Sequence, residues 1–187
     1  MSWIRLTLFA VTLLMASGIS AFLVVNLVHD PTASAAADIA EGAREGENFW
    51  NLSSLEEAEL TAGYPIASPA FLPAGFVPGD NIIVTQPSFA TLPRVVQRFW
   101  HHKDDPAYNF SIMQTPLDSG LGGGEAVTIN GVPGLRNLLP PEPPARTLPL
   151  LVLSWRNGGY TYYLHGFLGS HLTEETLLKI AASIRLE

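Results

Sequence analysis

The sequence predicts an α+β fold: a mostly antiparallel sheet of about seven strands, with room for strong curvature, and a helix at each end. An N-terminal transmembrane helix is expected to precede it. Three observations carry this reading: a hairpin-plus-helix signature from Leu150 to Ile184, further strands joined by short turns, and an uncharged apolar run at the amino terminus.

In the first of these, a continuous apolar run ends at Trp155. Asn157-Gly158 follows, a dipeptide suited to the positive φ angles of a tight hairpin turn. Tyr160 to Phe167 then alternates aromatic and polar residues, as a half-buried strand does. Thr173 is the expected helix cap, with Glu174 and Glu175 where the helix dipole favours carboxylates. Leu177, Leu178, Ile180, Ala181 and Ile184 supply the apolar face.

Upstream, Asn51 to Gly63 reads as a short helix. Ser54 and Glu57 fit a capping box, Leu52 a staple and Gly63 a left-handed C-terminal residue. Leu55, Ala58 and Leu60 would be its apolar side. Four prolines keep Tyr64 to Gly79 extended, with Phe71 and Phe76 pinning it to the core. Asn81 to Gln86 and Arg94 to His102 are strands. On the latter, Val96, Arg98, Trp100 and His102 share one face. Lys103 to Pro106 is a turn, and Tyr108, Phe110 and Ile112 mark one face of the returning strand. Leu117 to Gly124 is a glycine-rich loop. Asn130-Gly131 is a second hairpin turn between Val127–Ile129 and Val132–Leu138. Pro140 to Pro149 is too proline-rich for a ladder and reads as a surface excursion. Sequential hairpins imply antiparallel pairing, and no strand alternates with a crossover helix.

Leu6 to Val28 carries no charge and is long enough to span roughly 30 Å of hydrocarbon as a helix. Arg5 before it and Asp30 after it orient the amino terminus inward. The expected division is a signal anchor over 1–29, a small, acidic spacer over 30–50 and an extracytoplasmic domain over 51–187. Ala33-Ser34-Ala35 has the form of a cleavage site, so a secreted product cut near Ala35 is the alternative. Both readings place the remaining chain outside the cytoplasm.

Net charge is −7 and no Lys/Arg cluster occurs, which argues against a nucleic-acid partner. The absence of cysteine excludes disulfides, thiolate metal sites and a Cys nucleophile. His101, His102, Asp104 and Asp105 are the densest set of metal-ligand types, but adjacent strand histidines point to opposite faces. Gly120 to Gly124 lacks the Lys-Ser/Thr of a phosphate loop. Gly169-Ser170-His171 lacks the second glycine of a hydrolase elbow. No catalytic residues, metal or cofactor are assigned, and the chain is not expected to be an enzyme. The strand aromatics read first as core and cross-strand pairs. Their second reading is an apolar groove, for which Trp155, Tyr160 and Tyr162 are the candidate ligand-binding residues.

Several motifs occur in a familiar order: Leu55 to Ala58 (LEEA), Pro69 to Phe76 with its FLPAGF ending, Ile129 to Gly131 (ING), the Trp155 to Gly166 hairpin and the Leu172 to Ile184 helix. Together they resemble a bacterial domain-of-unknown-function family of membrane-anchored extracytoplasmic proteins, found near anti-sigma and lipoprotein-sorting-type modules. The resemblance spans Leu52 to Leu186, departs at Pro140 to Pro149, and implies an antiparallel α+β domain in the cell envelope. It transfers no catalytic residue. The functional expectation is a membrane-tethered interaction or sensory domain with an envelope protein partner. The alternative is a carrier-like module that binds a lipid or other apolar ligand on a curved sheet.

Overall fold

The computed structural model describes residues 49–86, 92–118, 121–143 and 146–186. The expected anchor Leu6–Val28 and most of the spacer lie outside these residues. Among the described residues no helix is long and apolar enough to cross a membrane.

The main element is an eight-stranded antiparallel sheet. Its strands are β1 (Phe49–Leu52), β3 (Phe76–Thr85), β4 (Val95–His102), β5 (Asp105–Thr115), β6 (Glu125–Ile129), β7 (Val132–Leu139), β8 (Leu150–Asn157) and β9 (Tyr160–Phe167). Their spatial order is β1-β3-β4-β5-β9-β8-β7-β6. Two short strands, β2 (Ala67–Pro69) and β10 (Ile184–Leu186), pair in a separate two-stranded sheet. The described residues also form two helices, α1 (Leu55–Ala62) and α2 (Glu174–Ser183).

Local chemistry explains the helix ends. The Ser54 hydroxyl accepts the Glu57 N–H at 3.1 Å, and Gly63 closes α1 at φ 83°. Thr173 caps α2 by accepting the Thr176 N–H at 3.2 Å. The β6–β7 turn has Asn130 at φ 48° and Gly131 at φ 80°, the pair of positive angles that a two-residue hairpin needs.

Some expectations need correction. The helix expected from Asn51 starts at Leu55, because Phe49–Leu52 forms an edge strand on β3. Leu60 is 85% exposed, and Leu55, Ala58 and Ala62 form the packed side of α1 instead. Phe76 is buried as expected, whereas Phe71 is exposed. The β8–β9 turn is Gly158-Gly159, one residue later than expected, since Asn157 still pairs with Tyr160. The expected seven strands missed β1, β2 and β10, which are short and pair over long sequence distances.

Both helices lie on one face of the sheet. Ala58 of α1 joins Ile66, Ile82, Val84 and Val96 in one apolar cluster. Leu177, Ile180 and Ala181 of α2 join Trp100, Phe110, Leu153, Trp155 and Leu164 in a larger one. Gln114 pins the chain between these clusters: its amide accepts the Ala67 N–H at 2.7 Å and donates to the Pro65 carbonyl at 2.9 Å. Gly166 lies beneath α2, where a Cβ would meet the Leu177 methyls at 2.7 Å.

Candidate functional site

The register of β4, β5, β9 and β8 sorts every side chain onto the helix-bearing face or the opposite one. Trp155, Tyr160 and Tyr162 all fall on the helix-bearing face. Trp155 and Tyr162 are buried and stack at 5.3 Å, and Tyr160 is half-buried. Tyr160 also meets Tyr64 at 5.5 Å. Burial pushes the Tyr162 phenol up to about 12, with the neighbouring Tyr160 adding to the shift. The structure therefore brings the three together, in the core under the helices.

A second cluster was not legible as one in the sequence. His102 on β4 stacks against His171, in the loop before α2, with ring centroids 4.1 Å apart. Tyr108 meets the edge of His171 at 4.9 Å, and the Ser170 hydroxyl donates to the Tyr108 oxygen at 3.3 Å. Ring-nitrogen lone pairs lie in the ring plane, so two stacked imidazoles direct them side by side instead of converging on one ion. Among the described residues no group of three His, Cys, Asp or Glu could hold a metal. The His102 Nδ1 instead accepts the Asp104 N–H at 3.4 Å. This corner fastens the α2 lead-in loop to the β4–β5 turn.

A cleft of about 210 Å³ lies at the β3 bulge, lined by Ser53, Asp80, Asn81 and Arg98 among others. It is smaller than the few hundred Å³ of ordinary ligand pockets. The Arg98 guanidinium also donates to the Ser68 hydroxyl.

The opposite face of the sheet is the better candidate. Among the described residues neither helix packs on it. Three of its central cross-strand rows can be read directly from the register. One runs Phe99, Ser111, His165, Val152 and Asn137. The next runs Gln97, Met113, Tyr163, Ser154 and Leu135. A third includes Phe167, Leu150 and Leu139. None of these rows contains a charged residue.

The polar groups of this face are mostly paired. The Gln97 amide donates to the Ser111 hydroxyl at 3.3 Å. Ser154 and Thr161 donate to the Leu121 and Leu117 carbonyls, which brings the β5–β6 connection over one end of the face. His165 is the exception. It is 8% exposed, and its Nε2 is buried with no hydrogen-bond partner among the described residues. Burial lowers its pKa to about 3, so the ring is neutral at physiological pH. Met113 and Leu150 are buried on this face yet belong to neither apolar cluster.

Sequence reasoning placed His165 on a strand without marking it. The available signal was its neighbourhood: an uncharged strand whose second face also lacked Lys and Glu. Comparison with protein-family models, curated proteins and solved structures finds no match for the chain.

Proposed function

We propose that this chain is a membrane-tethered, extracytoplasmic interaction or sensory domain whose recognition surface is the sheet face opposite α1 and α2. One observation carries the reading: the three central rows of that face bear aromatic, aliphatic and neutral polar side chains and no charge. Gln97, Ser111, Met113, Leu150, Ser154 and His165 of these rows are buried, and the half-buried Phe99, Val152, Tyr163 and Phe167 are the apolar and aromatic side chains left to meet a partner. The uncharged run Leu6–Val28 supports the tether, and the motif order that resembles an envelope family supports the compartment. The reading assigns no reaction and no nucleic-acid partner.

The test is site-specific photocrosslinking in the intact envelope of cells that make the full chain. A photoreactive phenylalanine analogue at Val152 or Phe99 probes the proposed surface, and one at Leu60 probes the exposed side of α1. Adducts from Val152 and Phe99, but not from Leu60, are expected. Equal adducts at all three positions, or none from Val152 and Phe99, would refute the surface.

A second reading is favoured by the burial of Met113 and Leu150 outside the core clusters. In it, a curved sheet acts as a carrier for an apolar ligand.

A further inference from the structure

We propose that the corner where His171 stacks on His102 is a proton-operated latch, in which acid charges both rings and swings Gly169, Ser170 and His171 away from the sheet. This deepens the sensory half of the reading above by naming its stimulus, and it rests on that reading.

Three segments build the latch. His102 ends β4, Gly75 stands in the turn before β3, and His171 lies in the loop that leads into α2. His102 is buried and boxed in. Phe76 meets its ring at 5.4 Å, and a Cβ on Gly75 would overlap its Nε2. His171 is exposed, so it is the partner free to move. The loop is anchored on both sides of it. The Leu168 N–H donates to the Pro149 carbonyl at 2.8 Å, and Leu172 is fully buried. Between these anchors the loop meets the sheet through the histidine stack and Tyr108. Tyr108 lies 4.9 Å from the His171 ring and accepts from the Ser170 hydroxyl at 3.3 Å.

The closed corner suits neutral rings. The His102 Nδ1 accepts the Asp104 N–H, which needs a bare ring nitrogen, and an imidazolium has none. With both rings charged, two cations would stand 4.1 Å apart. Imidazole is the side chain whose charge ordinarily changes between about pH 5 and 8. Opening separates the two charges and gives His171 to water, so acid shifts the corner towards the open form.

The surrounding groups leave this repulsion in place. On the β4–β5 turn, Lys103 adds positive charge, and among the described residues neither Asp104 nor Asp105 forms an ion pair with either ring. The Asp105 carboxylate accepts the Ala107 N–H at 3.3 Å instead. At the start of α2, Glu174 is paired with Arg136 and Glu175 with Lys179. Tyr108 is the titratable group that β5 turns to the corner, and Pro73 to Phe76 carries none. His101 lies on the opposite face of β4.

The experiment is amide hydrogen exchange on the full chain in nanodiscs at pH 8 and pH 5, corrected for intrinsic rates. The Gly169 N–H reports the loop, since it donates to the Leu172 carbonyl at 2.9 Å. The Leu164 amide, at the centre of the sheet, reports the whole fold. Acid is expected to speed Gly169 exchange about tenfold relative to Leu164. His171→Phe keeps a ring on His102 without a charge and should abolish that acceleration. Gly169→Ala puts a Cβ into the Tyr108 ring and should hold the loop open at both pH values.

The latch is overturned if Gly169 and Leu164 accelerate together, if His171→Phe responds to acid as the wild type does, or if Gly169→Ala is as protected at pH 8 as the wild type. Acid opening without crosslinks from Val152 and Phe99 would keep the latch and refute the recognition surface. Crosslinks without acid opening would refute the latch alone.

Discussion

The two faces of the main sheet are built from the same strands, one residue apart, and obey different rules. On the helix-bearing face, Trp100 stacks on Phe110 at 5.0 Å and Trp155 on Tyr162 at 5.3 Å, and α1 and α2 close over them. Its charged groups are partnered: Arg98 reaches Ser68, and Arg136 reaches Glu125 and Glu174. The other face has no helix among the described residues, no charge in its central rows and one orphaned nitrogen at His165. The first face is organised for stability. The second buries Gln97, Ser111, Met113, Leu150 and Ser154 without either of these helices and leaves one hydrogen bond unmet.

The sharpest way to break this comparison is a pair of adjacent substitutions on β8. Leu153 is fully buried on the helix-bearing face, and Leu153→Ala should cost about 2–5 kcal/mol in denaturant unfolding. Val152 is half-buried on the other face, and Val152→Ala should cost under about 1 kcal/mol. Equal costs would mean that both faces are core.

Gln114→Leu comes next. It strands the Ala67 N–H and the Pro65 carbonyl beneath the helices, and the expected loss is roughly 2–4 kcal/mol. A loss below 1 kcal/mol in the same unfolding assay would show that the Pro65–Ala67 segment is held by other contacts.

His165 gives the face opposite α1 and α2 a pH signature. The unfolded chain protonates this imidazole below its ordinary 6.5, whereas the folded chain does so only near 3. Its contribution is therefore complete above pH 6.5 and is lost as pH falls from 6.5 towards 3. By pH 5 the loss is on the order of 2 kcal/mol, and His165→Leu should remove that part of the acid slope. Unfolding curves at pH 7 and pH 5 for both proteins measure it. An unchanged slope would place the imidazole in contact with water.

The smallest effect is expected at Leu60. It is a large apolar residue on the solvent side of α1, and Leu60→Glu should move stability by no more than about 0.5 kcal/mol. A larger destabilisation in thermal melts would mean that α1 has a second packed side.

Much of this architecture is local and was legible in the residues. Ser54, Gly63 and Thr173 act within a few positions of themselves, so caps and helix ends follow from sequence. Asn130-Gly131 needs only its own φ angles to set a hairpin. The alternation in β4 and β9 follows from the period of a strand. Small errors arose where two local signals competed. Asn157-Gly158 and Gly158-Gly159 both suit a tight turn, and cross-strand pairing of Asn157 with Tyr160 chose the second. Leu60 was expected on the apolar side of α1, and contact with the sheet chose Ala62 instead.

By itself the sequence determined the antiparallel class, the two helices with their caps, and the β6–β7 and β8–β9 hairpins. Each depends on residues within one turn or one strand of each other. Only the tertiary structure decided that Phe49–Leu52 closes one edge, that β2 pairs with β10, that His102 meets His171, and that both helices cover the same face. These are contacts between residues far apart in the chain. Their partners compete with many chemically similar ones, and the choice is made by the burial of the whole sheet instead of by any local preference. The same choice put Trp155 and Tyr162 in the core under α1 and α2 and His165 on the opposite face.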